Sequence, residues 1–162
     1  KIKFPENFNP THCSVYARND IRINAPVDNV WNWLVNVTTW PEWYPNSSNI
    51  NILNQEESML MEGTKFKWRT FGKNIKSEVK KFEPYELLAW EAKGMGLNAY
   101  HGWLIIPDEN GCTVITEETQ HGILPSLARG FIKKGLLKQH QIWLEGLKQK
   151  SELHPFNGQL IK

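Results

Sequence analysis

Between residues 15 and 53 the hydrophobic pattern changes period twice, and that order restricts the folds open to the chain more than any other feature. Apolar residues alternate at Val15, Ala17, Ile21 and Ile23, as in an extended strand with one dry face. Pro26 and Asp28 end that run and open a helix carrying Val30, Trp31 and Leu34. From Thr39 to Pro45, Trp40, Trp43 and Tyr44 crowd around Pro41 and Pro45, which leaves room for only a turn or two of helix closing on an aromatic plug. The alternation then returns at Asn49-Ile50-Asn51-Ile52-Leu53. A strand, two short helices and a further series of strands follow one another in that order.

The rest of the chain extends this series. Phe66 and Trp68 lie on one face of a strand whose other face carries Lys65, Lys67 and Arg69. Gly72-Lys73-Asn74 supplies a turn, after which Ile75, Ser77 and Val79 continue the inner face, with Ser77 its one polar member. Strands follow at Leu87–Ala92, at Asn98–Ile106 and, after a turn through Asp108–Gly111, at Cys112–His121. Past Gly122 the apolar spacing becomes helical, with Leu127, Phe131, Ile132, Leu136, Trp143 and Leu147 on one stripe. That stripe predicts a helix over residues 125–150. Gly130, Gly135 and Gly146 each disfavour such a helix by about 1 kcal/mol relative to Ala, so a packing reason is expected. Gly130 and Gly135 are the expected bend sites. The outer face of the helix is basic, as a solvated face would be.

Ile21-x-Ile23-x-Ala25-Pro26-x-x-x-Val30-Trp31-x-x-Leu34, followed by Trp40-Pro41-x-Trp43, resembles the opening of the SRPBCC superfamily, which has the START-like helix-grip fold. Leu87-Leu88-Ala89-Trp90, His101-x-Trp103, Gly111-x-Thr113-x-Ile115 and Glu118-x-x-x-Gly122 resemble the later strands of its polyketide cyclase/dehydrase-like branch. The resemblance implies an α+β helix-grip fold: a curved antiparallel sheet of six to seven strands around a long C-terminal helix, with two short helices after the first strand. It implies a single domain over residues 1–162 with its core at about 14–150. It also implies a ligand cavity on the inner faces of the strands. The activity stays open, because this fold carries hydrolases, cyclases, chaperone regulators and pure binders.

Composition narrows the partners. No apolar run approaches the ~20 residues that span a bilayer, and a net charge of +2 with dispersed Lys and Arg does not suit nucleic acid. Eight tryptophans suit either an aromatic-lined cavity or a Trp-rich solid core. In the family fold, Cys13 and Cys112 would fall near opposite ends of one strand pair, too far apart to bridge, so two reduced thiols point to the cytoplasm.

Chemistry is sparse in the sequence. His12, His101, His121, His140 and His154 show no metal-ligand spacing, there is no phosphate-binding glycine loop, and no nucleophile has a base beside it. Neither a metal nor another cofactor is expected. One constellation follows from the turn at residues 108–111, which pairs Ile105 with Val114, Trp103 with Thr116 and His101 with Glu118 on one face. Trp103, Ile105 and Val114 assign that face to the concave side, whereas Leu104, Ile106 and Ile115 favour the opposite one. His101 and Glu118 then form either a self-satisfied buried pair or a polar contact for a ligand, with the carboxylate favouring imidazolium. Two functions follow. The first is binding of a small apolar or aromatic molecule, lipid- or polyketide-like, with Trp68, Trp90, Trp103 and Phe131 as walls and Ser77, His101 and Glu118 as polar contacts. The alternative is a cyclase/dehydratase-type enzyme using His101 and Glu118 as acid and base.

Overall fold

The computed structural model describes residues 1–158. Seven antiparallel strands form one sheet: β1 (Val15–Ile23), β2 (Ser48–Ile52), β3 (Lys65–Thr70), β4 (Lys73–Glu83), β5 (Leu87–Gly94), β6 (Leu97–Asp108) and β7 (Gly111–His121). Their spatial order is β1-β7-β6-β5-β4-β3-β2. Tight turns join β3 through β7 as successive hairpins, and the long connection through the short helices α1 (Val27–Val35) and α2 (Trp40–Trp43) carries the chain from one edge strand to the other. Register shifts between Val79 and Lys81 in β4 and between Ser48 and Asn51 in β2. Irregularities of this kind bend and twist a strand locally.

The long helix α4 (Arg129–Leu153) lies in the concavity, burying Leu136, His140, Trp143, Leu144 and Leu147. Trp143 is the hub of the core. Its ring stacks on Tyr44 with centroids 4.3 Å apart, and it meets Trp40 and Trp103 edge-on, each at 4.9 Å. The aromatic plug predicted around Pro41 therefore exists, and the Trp40 indole is tied down by donating to the Leu34 carbonyl oxygen at 2.9 Å. Burial of these rings, at about 25 cal/mol per Å² of apolar surface, couples α2 and α4 to the inner face of the sheet.

Three details depart from the expectation. The C-terminal helix is divided at Ala128 (φ −123°, ψ 29°) into a short α3 (Ile123–Leu127) and α4, so the break precedes both Gly130 and Gly135. The strands β6 and β7 extend one or two residues beyond their predicted ends. The convex face of the sheet is also partly covered, because the segment before β1 folds over it: Phe8 packs with Ala89 and Tyr100, Phe4 meets Tyr100 at 5.6 Å, and Ile2 lies against Gly102. This cover buries Tyr100 on the convex face of β6, whereas Ile106 on the same face stays exposed.

Cys112 lies opposite Ile23, whereas Cys13 precedes the far end of the same ladder, where Val15 faces Gln120. Both thiols are free. No helix among the described residues is long and apolar enough to cross a membrane.

The helix glycines divide by environment. A Cβ on Gly146 would collide with the Trp43 backbone carbonyl, whereas one on Gly130 or Gly135 meets nothing. Of these three glycines only Gly146 is thus needed for close approach, and its neighbour is α2. Gly146→Ala should destabilise the protein by about 2 to 3 kcal/mol in urea unfolding. Gly135→Ala should stabilise it by up to about 1 kcal/mol. Equal effects at the two positions would contradict this placement of α4.

Candidate functional site

The β6–β7 hairpin places Ile105 opposite Val114, Trp103 opposite Thr116 and His101 opposite Glu118. All six side chains are buried. His101 lies edge-on to Trp143 of α4 with centroids 5.4 Å apart, so this is the concave face. The pairing follows from the turn: side chains at alternate positions share a face, and the hairpin sets which residues meet across it.

Glu118 is the centre of a buried polar cluster. Its Oε2 lies 3.2 Å from His101 Nδ1 and 3.0 Å from His140 Nε2, which α4 delivers from above the sheet. The Gln120 amide donates to Oε1 at 2.6 Å. On its other edge His101 Nε2 is 2.7 Å from the Thr116 hydroxyl, which in turn lies 3.3 Å from the Gly102 carbonyl oxygen. The two imidazoles stack with centroids 4.7 Å apart. Trp90 and Trp103 pack against His101 at 4.8 and 5.4 Å and fix its ring plane.

These surroundings set the charge of the cluster. Burial drives the His101 imidazole down to about 3, against the upward pull of Glu118, and the neighbouring His140 lowers it further. The carboxylate does favour imidazolium, as its position opposite His101 implies, but loss of water outweighs it. Burial alone would raise the Glu118 carboxyl; the two imidazoles and the Gln120 amide offset that and hold it below the usual carboxylate range. At neutral pH the carboxylate is therefore ionised and the His101 imidazole beside it uncharged.

A cavity of about 300 Å³ opens beside this cluster, between the sheet and the start of α4. Trp68, Ile75, Trp90, Leu136 and Trp143 give it apolar walls, and His101, Glu118, Gln120 and His140 contribute polar surface. Phe71 and Phe131 stand at its solvent edge, Phe131 being 84% exposed. Of the residues singled out from sequence, Trp68, Trp90, His101, Glu118 and Phe131 line this space. Ser77 and Trp103 do not. The Ser77 hydroxyl accepts a hydrogen bond from the Trp68 indole at 3.1 Å, and Trp103 is wholly buried between His101 and Trp143.

Sequence reasoning missed His140, Gln120 and Trp143 as site residues. For His140 a signal existed: Leu136, His140, Trp143 and Leu147 continue one helical stripe, so the imidazole had to face the core. Its partner could not be read from that spacing. Two polar atoms of cavity-lining residues, His140 Nδ1 and Trp143 Nε1, have no hydrogen-bond partner in the protein.

A concave antiparallel sheet gripping one long helix over an internal cavity defines a helix-grip protein. Residues 14–152 match the family described as polyketide cyclase / dehydrase and lipid transport, and the chain belongs to that family. Its structure is similar to that of the hypothetical protein jhp0584 from Helicobacter pylori, with 27% identity and a TM-score of 0.88 over 93% of this chain and 96% of that one. The fold is shared with TTHA0849 from Thermus thermophilus (16% identity, TM-score 0.68, 84% and 96% covered). It is also shared with the Zhui aromatase/cyclase from Streptomyces sp. R1128 (13% identity, TM-score 0.73, 85% and 93% covered). No curated protein matches the chain.

The cluster predicts an acid-labile fold. An unfolded imidazole takes up its proton near pH ~6.5, whereas folded His101 does so only at about 3. Between those values unfolding binds a proton, so stability should fall with falling pH by about 1.4 kcal/mol per pH unit. Glu118, held below its unfolded value, adds to the loss once the carboxylate range is reached. Urea unfolding in chelator-containing buffer across this window should show the slope, and His101→Gln should flatten it. Wild-type stability that does not change over the window would contradict a neutral, buried His101.

Proposed function

We propose that this protein binds a small apolar, preferably aromatic, molecule in the cavity between the concave sheet and the C-terminal helix. The observation that carries this reading is the pairing of apolar, indole-rich walls with a few buried polar groups in one space of about 300 Å³. That volume lies at the lower end of ligand pockets, which run from roughly 300 to 1,000 Å³. Phe71 and Phe131 at the solvent edge would cover the bound molecule. The two free cysteines support a reducing, cytoplasmic setting.

A second reading is a cyclase/dehydratase-type enzyme in which His101 and Glu118 transfer protons. The carboxylate and two imidazoles beside the cavity favour it, as does family membership. The fold shared with an aromatase/cyclase is compatible with it. Binding is preferred because both Glu118 oxygens are already engaged by Gln120 and the two histidines, which leaves the carboxylate a poor base.

Titration with flavonoids, fatty acids, sterols and polyketide-like aromatics tests the binding reading. A ligand should quench or shift tryptophan emission at micromolar concentration, about 8 kcal/mol of binding free energy, and should raise the melting temperature by mass action. Phe131→Ala should weaken binding several-fold with little effect on stability, since the side chain is exposed. Ala99→Leu, which projects into the cavity from a lining position, should weaken it more. Neither quenching nor a thermal shift across the panel would overturn the reading.

A further inference from the structure

The cluster around Glu118 combines features that a hydrogen-bonded core pair does not need. Its three titratable side chains come from β6, β7 and α4: the hairpin pairs two of them, and the packing of the helix brings the third. Each offers one ligand atom, and these atoms lie within 4.8 Å of one another. Nitrogen and oxygen ligands sit roughly 2.0–2.2 Å from a zinc-sized ion. Adjacent ligands around such an ion are then about 3.0–3.5 Å apart. The separations of 3.2 and 3.0 Å from Glu118 Oε2 to the two imidazole nitrogens fall in that interval. The upper bound of 4.8 Å exceeds the ~3.4 Å of tetrahedral neighbours, so binding draws one imidazole inward by up to about 1.4 Å, within reach of a side-chain rotation.

We propose that His101, Glu118 and His140 form a binding site for a first-row divalent transition metal, zinc or ferrous iron, with its open coordination positions directed at the cavity.

The donor set selects the class of ion. Two imidazoles and one carboxylate suit zinc, iron, cobalt or nickel, whereas calcium and magnesium require mostly oxygen. Three protein ligands leave at least one position free, as in metal sites that accept an exogenous ligand. All three side chains line the cavity, so that position is reachable from it. The ligands are also braced from behind. Thr116 holds the far nitrogen of His101 and Gln120 holds the far oxygen of Glu118, the outer contacts that orient ligands in metal sites. His140 Nδ1 has no protein partner, so this ligand alone lacks an outer brace.

This inference does not rest on apolar ligand binding, and the two can fail separately. Chelator-stripped full-length protein is titrated calorimetrically with Zn²⁺, and separately with Co²⁺ while visible absorption is recorded. One equivalent of each should bind, and Co²⁺ should give ligand-field bands of a low-coordinate nitrogen and oxygen site. His140→Gln and Glu118→Gln should each weaken Zn²⁺ binding by at least about 100-fold and abolish the bands. Thr116→Val, which touches no metal, should weaken binding by about 10- to 100-fold. His12→Gln and His154→Gln, both outside the cluster, should change nothing. The wild-type stoichiometry and spectrum need no variant, so misfolding of a mutant does not shield the proposal. Absence of stoichiometric uptake by the wild type overturns it, as does uptake unaffected by both ligand substitutions. The same stripped protein, titrated with the aromatic panel, reads the cavity independently.

Discussion

An ionised carboxylate inside an apolar interior must be solvated by the protein itself, and Glu118 imposes that demand on the surrounding structure. Removing a carboxylate from water costs several kcal/mol even after the protein relaxes. Glu118 meets the demand with the Gln120 amide two residues along its own strand, His101 across the hairpin and His140 from the helix. Each donor fixes one degree of freedom of the fold. The His101 contact requires the β6–β7 register, because a slip of one residue would put the two side chains on opposite faces of the sheet. The His140 contact sets the position of α4 along its axis, and Gly146 sets its depth by allowing the helix to approach the Trp43 backbone.

The tryptophans divide the interior between packing and binding. All eight are buried, but only Trp68, Trp90 and Trp143 line the cavity. The other five form the solid part of the core: Trp40 and Trp103 against Trp143, Trp31 against Phe82, Trp33 against Phe156, and Trp43 against Gly146. The two interpretations of the tryptophan count thus hold at different places in one core. Trp143 belongs to both, stacking on Tyr44 while contributing to the cavity wall. A ligand held there would contact the hub that joins helix, plug and sheet.

Much of the architecture was legible in the sequence because its periods are strong. Strict alternation at Lys65–Thr70 and the turn at residues 108–111 establish strands and register with little help from tertiary context. What was not legible depends on distance in space. Nothing in the pattern shows that residues 2–8 cover the convex face at Ala89, Tyr100 and Gly102, while Ile106, which argued for the opposite orientation of β6, stays exposed on it. Trp103 and Ser77 share the face of the site and still do not reach the cavity, because stacking by His101 and a hydrogen bond from Trp68 occupy them. His140 lay on a readable apolar stripe, but its meeting with Glu118 needs the helix axis placed to within an ångström or so. Periodicity alone does not supply that.

The charge of Glu118 in the folded state is the point from which these features follow, and vibrational spectroscopy reads it directly. An infrared difference spectrum between wild type and Glu118→Gln, recorded at neutral pH in deuterated, chelator-containing buffer, isolates the bands of this one group. Carboxylate stretches in the wild type, with no carbonyl stretch of a protonated acid, are the predicted result. A carboxylic-acid carbonyl band that vanishes in the variant would show Glu118 to be neutral, and the account of a protein-solvated anion holding the hairpin and the helix together would be wrong.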